Sequence, residues 1–391
     1  MKNEQLSKLK ISSYLKKQHL VLCLLVSIIG VSCKKNDEVI PTSIPAVDKT
    51  LLTQVKLSMV EFDKNQIWNG YHFSTYPLYL AYINKSFTET KSTEKPQRGY
   101  IINPNANLLA SLKDKTQDVG GLNVYRYDNQ INKLQEVIEK GNGLFDLEFQ
   151  IVGKSYVGFL YTDKKSIESP NHPLIGYTQT IAHEVFHLFQ HENWKPQENI
   201  IQDEDNYPIN KDLVALQLLT IEIAKKMPTE TDKAKVLNYL KMYVAIRSKE
   251  LEIDPSANKL VKNMANEQEK LEGTAYYIEF STATKVVPDF KESNFVYQAV
   301  QSTKSLTTKT GFRDVFTGLI WYMTGASASY MLKNQGVNIE TSLKANTTLY
   351  DIAKKHLNLS TQDQATALQN AKNQFNWTTI QAEALRLTNL K

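Results

Sequence analysis

Cysteine is nearly absent from this sequence, since its 391 residues include only Cys23 and Cys33. Small exported domains that cannot build a sufficient core are usually dense in disulfides. A chain of this length with 41% hydrophobic residues can instead bury a large core in one domain or two. The scarcity of cysteine therefore excludes a disulfide scaffold, and the fold has to be stabilised by its core.

An excess of one charge is also missing from most of the chain. The formal net charge is +5, but residues 1–33 hold five of the 46 basic residues and one of the 41 acidic residues. The remainder carries a net charge of +1. Proteins that bind nucleic acid usually present a basic surface, so we expect no nucleic-acid partner.

No hydrophobic run is long enough to span a bilayer comfortably. The apolar residues 20–31 follow a lysine-rich start, which predicts a signal peptide over residues 1–33. Residues 30–33, Gly-Val-Ser-Cys, resemble a bacterial lipobox, whose cysteine becomes the lipidated N-terminus. We therefore expect a lipid on Cys33 and a location in the cell envelope at the outer membrane. Without that lipid, the protein would be secreted.

The rest of the sequence predicts an α+β fold. Residues 34–50 are polar and contain prolines, as in a flexible tether, and a first helix follows from Leu51. Within residues 51–165, five segments rich in Tyr, Ile, Val and Phe predict strands of a mixed sheet: residues 77–83, 98–102, 122–127, 147–152 and 155–162. Residues 166–391 predict a mainly helical part. Strand residues 156–161 are a candidate for the edge of a substrate cleft, where an extended peptide would add as a strand.

The strongest chemical signal is His183-Glu184-Val185-Phe186-His187, an H-E-x-x-H within a helical pattern. Positions i and i+4 share a helix face, so both imidazoles can bind one metal ion with Glu184 beside them as a base. Gln190 and His191 fall within the same arc of roughly 120°, and apolar residues fill the opposite arc. The alternative is a pair of surface histidines on an ordinary amphipathic helix.

A catalytic zinc site needs a third protein ligand and leaves the fourth position to water. His191 lies about 12 Å along the helix from His183, at about 1.5 Å per residue, so it is expected to orient a ligand or to stay solvated. Glu272 is the better candidate. The glycine after it costs about 1 kcal/mol in mid-helix relative to Ala, which is understandable if this helix closely approaches the histidine helix. Tyr276 and Glu279 share the face of Glu272, and the alternative is a solvated charged face.

These motifs resemble those of the gluzincin metallopeptidases, whose membrane-aminopeptidase branch carries N-E-G-F-A as its second motif. Residues 271–279 read LEGTAYYIE, and the resemblance makes Glu272 the third zinc ligand. Residues 322–332 resemble the Y-x-K-G-A-x-x-x-x-M-L helix start of the family. That match implies that Tyr322 donates a hydrogen bond to the tetrahedral intermediate. The resemblance covers about residues 155–335 and implies a zincin-like catalytic part within residues 166–391.

Three departures from the family pattern concern specificity. His187 and Glu272 are 85 residues apart, far more than in the aminopeptidases, and Thr324 stands where the family has lysine. No G-x-M-E-N segment, which grips the free amine of the substrate in that family, precedes the histidine helix. The resemblance therefore supports zinc hydrolysis and does not support aminopeptidase specificity.

Together these features predict a zinc-dependent, metallopeptidase-like hydrolase of peptides or proteins, attached to the membrane through its N-terminal lipid. One zinc ion per chain is expected on His183, His187 and Glu272, with Glu184 as general base. Tyr322 would stabilise the oxyanion, and Tyr276 and Glu279 would orient the ligands. One alternative is an envelope lipoprotein that binds peptide or glycan and keeps a structural or vestigial metal site. Another is a hydrolase of some other amide or of an ester.

Overall fold

The structure is a computed structural model that describes residues 44–83, 97–112, 119, 122–141, 145–162, 175–194, 203–286, 294–344 and 347–391. The predicted signal peptide, Cys33 and residues 34–43 lie outside the described residues. The architecture is α+β, as predicted, with a mixed five-stranded sheet followed by helices. Across the described ranges, no helix is long and apolar enough to cross a membrane.

The chain forms two compact units. The first contains the described residues up to Lys56 and those from Thr75 to residue 162, and the second contains Leu57–Ser74 and the described residues from 175 onwards. Residues 57–74 were assigned to the β-rich part by the sequence analysis, but they belong to the helical unit. The reason is aromatic packing, because the ring of Tyr71 lies 5.0 Å from Phe62 and 5.1 Å from Phe186.

The sheet of the first unit has the strand order β3-β2-β1-β5-β4. Its strands are β1 (Leu78–Tyr82), β2 (Arg98–Ile102), β3 (Val124–Arg126), β4 (Phe145–Ile151) and β5 (Lys154–Tyr161). β1 and β5 are parallel, and the other neighbouring pairs are antiparallel. The helices that begin in this unit are α1 (Ala46–Asn65), which continues into the second unit, α2 (Ala106–Ser111) and α3 (Ile131–Gly141).

The prediction that residues 156–161 form a free edge is wrong. They belong to β5, which pairs with β1 on one side and with β4 on the other. Val152 and Gly153 both have positive φ angles, of 47° and 74°. Such a two-residue turn matches the twist of a hairpin, so it folds β4 back along β5 and makes β4 the outer strand.

The predicted tether also ends earlier than residue 50. Helix α1 begins at Ala46, and Asp48 in its first turn is fully buried. The Asp48 carboxylate accepts hydrogen bonds from Arg98 Nη2 at 2.7 Å and from the Tyr100 hydroxyl at 2.6 Å. Residues 46–50 are therefore fixed to the sheet rather than part of a flexible segment.

The second unit is built from helices. Those before residue 290 are α4 (Ile175–Asn193), α5 (Lys211–Ala224), α6 (Lys233–Ile253), α7 (Asn266–Gln268) and α8 (Thr274–Val286). Two π-helical turns, Val261–Ala265 and Glu269–Gly273, flank α7, and a third, Val315–Leu319, precedes α11. The later helices are α9 (Gln298–Gln301), α10 (Lys309–Asp314), α11 (Ile320–Asn334), α12 (Ile339–Lys344), α13 (Leu349–Leu357), α14 (Thr361–Gln374) and α15 (Trp377–Thr388).

Gly273 makes the close helix contact that the sequence suggested, but with a different partner. A Cβ atom at Gly273 would lie 2.4 Å from the Cα of Gly325 in α11. A Cβ atom at Gly325 would lie 2.4 Å from the carbonyl oxygen of Glu269. The turn Glu269–Gly273 therefore lies backbone to backbone against α11, the helix that carries Tyr322, and not against the histidine helix.

Candidate metal centre

The two histidines of the H-E-x-x-H motif are buried on helix α4. His183 is 5% exposed and His187 is 3% exposed, so the alternative of surface histidines is wrong. The opposite face of α4 is apolar and fully buried through Ile181, Val185 and Phe186. Because both faces of the helix are covered, the two imidazoles are buried inside the helical unit.

Both imidazoles face one carboxylate oxygen. The Nε2 atoms of His183 and His187 each lie 3.4 Å from the same oxygen, Oε2 of Glu272. The three donor atoms lie within 4.8 Å of one another. Hydrogen bonds between nitrogen and oxygen are usually about 2.9–3.0 Å long, so 3.4 Å is long for a direct bond. Two ligands at about 2.0–2.1 Å from a tetrahedral zinc ion lie about 3.4 Å apart. The donor set and its spacing therefore fit zinc.

The far side of each imidazole is held by a hydrogen-bond acceptor. Nδ1 of His183 lies 3.0 Å from Oε2 of Glu279, and Nδ1 of His187 lies 2.6 Å from Oε1 of Gln190. An acceptor at Nδ1 places the proton on that nitrogen and leaves the Nε2 lone pair for a metal. Glu279 thus lies where the sequence analysis placed it, beside a predicted ligand.

Of the two roles expected for His191, the structure fits the solvated one and not the ligand-orienting one. The side chain of His191 is exposed, and the four ring nitrogens of His183 and His187 face Glu272, Glu279 and Gln190. The assignment of a ligand-orienting role therefore moves from His191 to Gln190. In the sequence, Gln190 is marked only by its place in the polar arc of the helix. Its spacing of three residues from His187 was the available signal.

Glu184 lies beside both histidines and is 7% exposed. Burial raises the pKa of Glu184 to about 7, although the neighbouring His183 and His187 act in the opposite direction. Burial alone would raise the pKa of Glu272 as well, but His187 and His183 outweigh it and hold that pKa well below its ordinary value. Three acidic side chains, those of Glu184, Glu272 and Glu279, thus interact with the imidazole of His183.

Tyr322 closes another side of the centre. Its ring stacks on the imidazole of His183, with 5.7 Å between the ring centroids and 16° between the planes. The ring of Tyr276, which is 2% exposed, packs edge-on against Tyr322 at 6.4 Å. Burial of the phenol and its hydrogen bond to Glu272 raise the pKa of Tyr322 well above its ordinary value. The hydroxyl therefore keeps its proton and stays a donor at neutral pH.

Comparison of the chain with protein-family models, with curated proteins and with solved structures finds no match in any of the three. The likeness to gluzincins therefore rests on three short motifs. All the side chains of the centre belong to the second unit and come from α4, the turn Glu269–Gly273, α8 and α11.

Proposed function

We propose that this protein is a zinc-dependent hydrolase of the metallopeptidase type, with one zinc ion on His183, His187 and Glu272. One observation carries the proposal. Both Nε2 atoms lie 3.4 Å from the same Glu272 oxygen while each Nδ1 is held by an acceptor. Zinc in such a site supplies a Lewis acid that activates water near neutral pH. The substrate class we propose is a peptide or protein.

Glu184 acts as the general base in this proposal. It accepts a proton from the attacking water and delivers it to the leaving amine. Its burial and its place beside the two histidines support this role, because a general base has to lie within reach of the proton that it abstracts. A purely structural zinc site needs no such base and has no open position.

Tyr322 donates a hydrogen bond to the oxyanion that forms on the substrate carbonyl. The stacking on His183 holds its ring at the centre, and the raised pKa keeps the proton on its hydroxyl. A preorganised donor in a dry site stabilises developing negative charge strongly.

The deciding experiment combines metal analysis with one isosteric substitution. Wild type and Glu184→Gln should each bind one zinc ion, and only wild type should cleave a peptide library. Glu192→Gln, an exposed change on the same helix, is the control and should cleave normally. Failure of wild type to bind zinc contradicts the proposal. If wild type is fully loaded with zinc but cleaves no peptide, other amide or ester, the result favours the alternative of a lipoprotein that binds peptide or glycan without cleaving it.

The proposed location is the cell envelope, with the protein attached through a lipid on Cys33. This part of the proposal rests on residues 1–33 of the sequence alone. Cys33→Ser should move the protein from the membrane fraction to the soluble envelope fraction or the medium. Retention of that variant in the membrane fraction contradicts the lipid anchor without affecting the proposed zinc chemistry.

A further inference from the structure

Gln190 is a buried side chain next to the centre, 1% exposed, and both ends of its amide are hydrogen-bonded. Oε1 lies 2.6 Å from Nδ1 of His187, and Nε2 lies 2.9 Å from the carbonyl oxygen of Leu271 and 2.8 Å from Oγ1 of Thr274. One side chain of α4 thus reaches both a histidine ligand and the turn that carries Glu272.

The directions of these hydrogen bonds follow from their fixed ends. The carbonyl oxygen of Leu271 can only accept, so the amide nitrogen of Gln190 has to face it. The amide oxygen therefore faces His187, and because that oxygen can only accept, Nδ1 of His187 has to carry the proton. Thr274 donates its own hydroxyl proton to the carbonyl oxygen of Lys270 at 2.7 Å, so it accepts from Gln190.

The contact between Gln190 and Leu271 matters because Leu271 lies in the turn Glu269–Gly273, which carries Glu272. The π-helical geometry of this turn is of a kind often found at functional sites, and Glu272 directly follows Leu271 within it. The Gln190 amide holds the Leu271 carbonyl, while the Thr274 hydroxyl holds the Lys270 carbonyl. The Gln190 amide therefore links His187 directly to the backbone beside Glu272.

We infer that Gln190 is a positioning residue for the metal centre. It fixes the protonated nitrogen of His187, which leaves Nε2 for the metal, and it sets the distance between His187 and Glu272. A carboxylate here would accept from His187 but would have no proton for Leu271. This inference rests on the proposed zinc site, and the experiment below separates the two.

The test uses Gln190→Met, which keeps an unbranched side chain of similar length and removes both polar ends. Its zinc affinity, measured by competition with a chelator, should fall about 10–100-fold, as for other groups that orient metal ligands. Proton NMR of the zinc-loaded protein should show faster solvent exchange of the His187 Nδ1 proton. The His183 Nδ1 proton, held by Glu279 at 3.0 Å, should exchange as in wild type.

Two further variants separate positioning from general destabilisation. Gln190→Glu restores the acceptor alone, so the His187 proton should be protected again while the zinc affinity stays below that of wild type. Gln217→Met replaces another glutamine of the helical unit, which is 3% exposed and lies in α5. The amide oxygen of Gln217 is buried and has no hydrogen-bond partner among the described residues, so the substitution should leave zinc affinity at the wild-type value.

The possible outcomes are distinguishable. If wild type binds no zinc, the proposed function fails. If wild type binds zinc and Gln190→Met has the same affinity with an unchanged His187 proton, only the inference about Gln190 fails. Equal acceleration of both histidine protons would also overturn it, because a loosened fold affects both. If Gln190→Met does not fold, Gln190→Glu decides, and wild-type zinc affinity in that variant would show that the bond to Leu271 is not needed.

Discussion

Two glutamates of the turn Glu269–Gly273, three residues apart, have very different surroundings. Glu269 is 0% exposed and accepts hydrogen bonds from the hydroxyl of Tyr243 at 2.7 Å, from Arg247 and from Thr324. The side chain of Glu272 is 13% exposed and meets two imidazoles at 3.4 Å. The first carboxylate is fully satisfied by the protein, whereas the second faces groups at the spacing of metal ligands.

The charges explain why only one of these carboxylates suits a metal centre. The guanidinium of Arg247 always carries its charge, and it also pairs with Glu250 at 2.6 Å. Imidazoles can lose their protons near neutral pH, so a cation can replace those protons beside Glu272. The comparison shows that a buried carboxylate is not by itself a site. The chemistry of its partners and their distances decide its role.

The largest loss of stability should come from removing Arg247, the cation that pairs with Glu269. Arg247→Met leaves Glu269 and Glu250 buried without their cation, which typically costs about 3–5 kcal/mol. Urea unfolding of the zinc-free protein measures the loss. Lys249→Met breaks the exposed pair with Glu252 on the same helix and should cost less than about 1 kcal/mol. Equal losses in the two variants would contradict the structural role of Arg247.

The sequence identified Glu272 but not the role of Glu269. The glycine after Glu272 and the H-E-x-x-H motif are local signals, and they predicted the residues that the structure brings together. Glu269 has no local signal of this kind, because its partners Arg247 and Thr324 lie 22 and 55 residues away. Such pairs depend on tertiary packing, which helical periodicity does not report.

The same limit explains the other errors. Gln190 and His191 fall in one arc of a helical wheel, so periodicity could not show that Gln190 is buried and His191 exposed. The strands of the sheet were mostly recognised from composition, but their pairing order depends on turns and long-range contacts. For that reason residues 156–161 were correctly predicted as a strand and wrongly predicted as an edge.

Tyr322→Phe tests the surroundings of Glu272, the other glutamate of the comparison. Loss of one preorganised donor to an oxyanion typically slows turnover by about 10²–10³, or about 3–4 kcal/mol of transition-state stabilisation. Zinc content and the free energy of unfolding should change little, because the ring and its stacking on His183 remain. Tyr330→Phe is the control, since the Tyr330 hydroxyl bonds to the carbonyls of Pro228 and Glu230. If Tyr330→Phe alone loses turnover, the assignment of Tyr322 is wrong.

Gly325→Ala should disturb both carboxylates at once. The added Cβ would lie 2.4 Å from the carbonyl oxygen of Glu269 and 2.7 Å from the Cα of Gly273. Backbone atoms cannot rotate away, so the two helices have to separate, which typically costs about 1–3 kcal/mol. Unfolding free energy and zinc affinity should therefore fall together.

The matched control for that substitution is Gly311→Ala. A Cβ atom there meets only Oγ1 of Thr308, at 3.2 Å, and alanine is the better helix former by about 1 kcal/mol. Stability should be unchanged or slightly higher, and zinc affinity should stay at the wild-type value. If Gly325→Ala keeps the wild-type unfolding free energy and zinc affinity, the close contact between α11 and the turn Glu269–Gly273 is not required.

Thr324→Val should lower stability alone and so give the sharpest separation between the two glutamates. Thr324 stands two residues after Tyr322 on α11, yet its hydroxyl donates to Glu269 and not to the metal centre. Valine keeps the shape of the side chain and removes that one bond to a charged acceptor, at a cost of about 1.5–3 kcal/mol if the bond is fully lost. Because Tyr243 and Arg247 still hold Glu269, we expect the lower end of this range. Urea unfolding should show the loss, while zinc affinity and turnover stay within about twofold of wild type, a change below about 0.4 kcal/mol.

A large loss of zinc affinity or turnover at constant stability would place Thr324 in the reaction instead. The lysine that the gluzincin pattern has at this position would then mark a shared role rather than a departure.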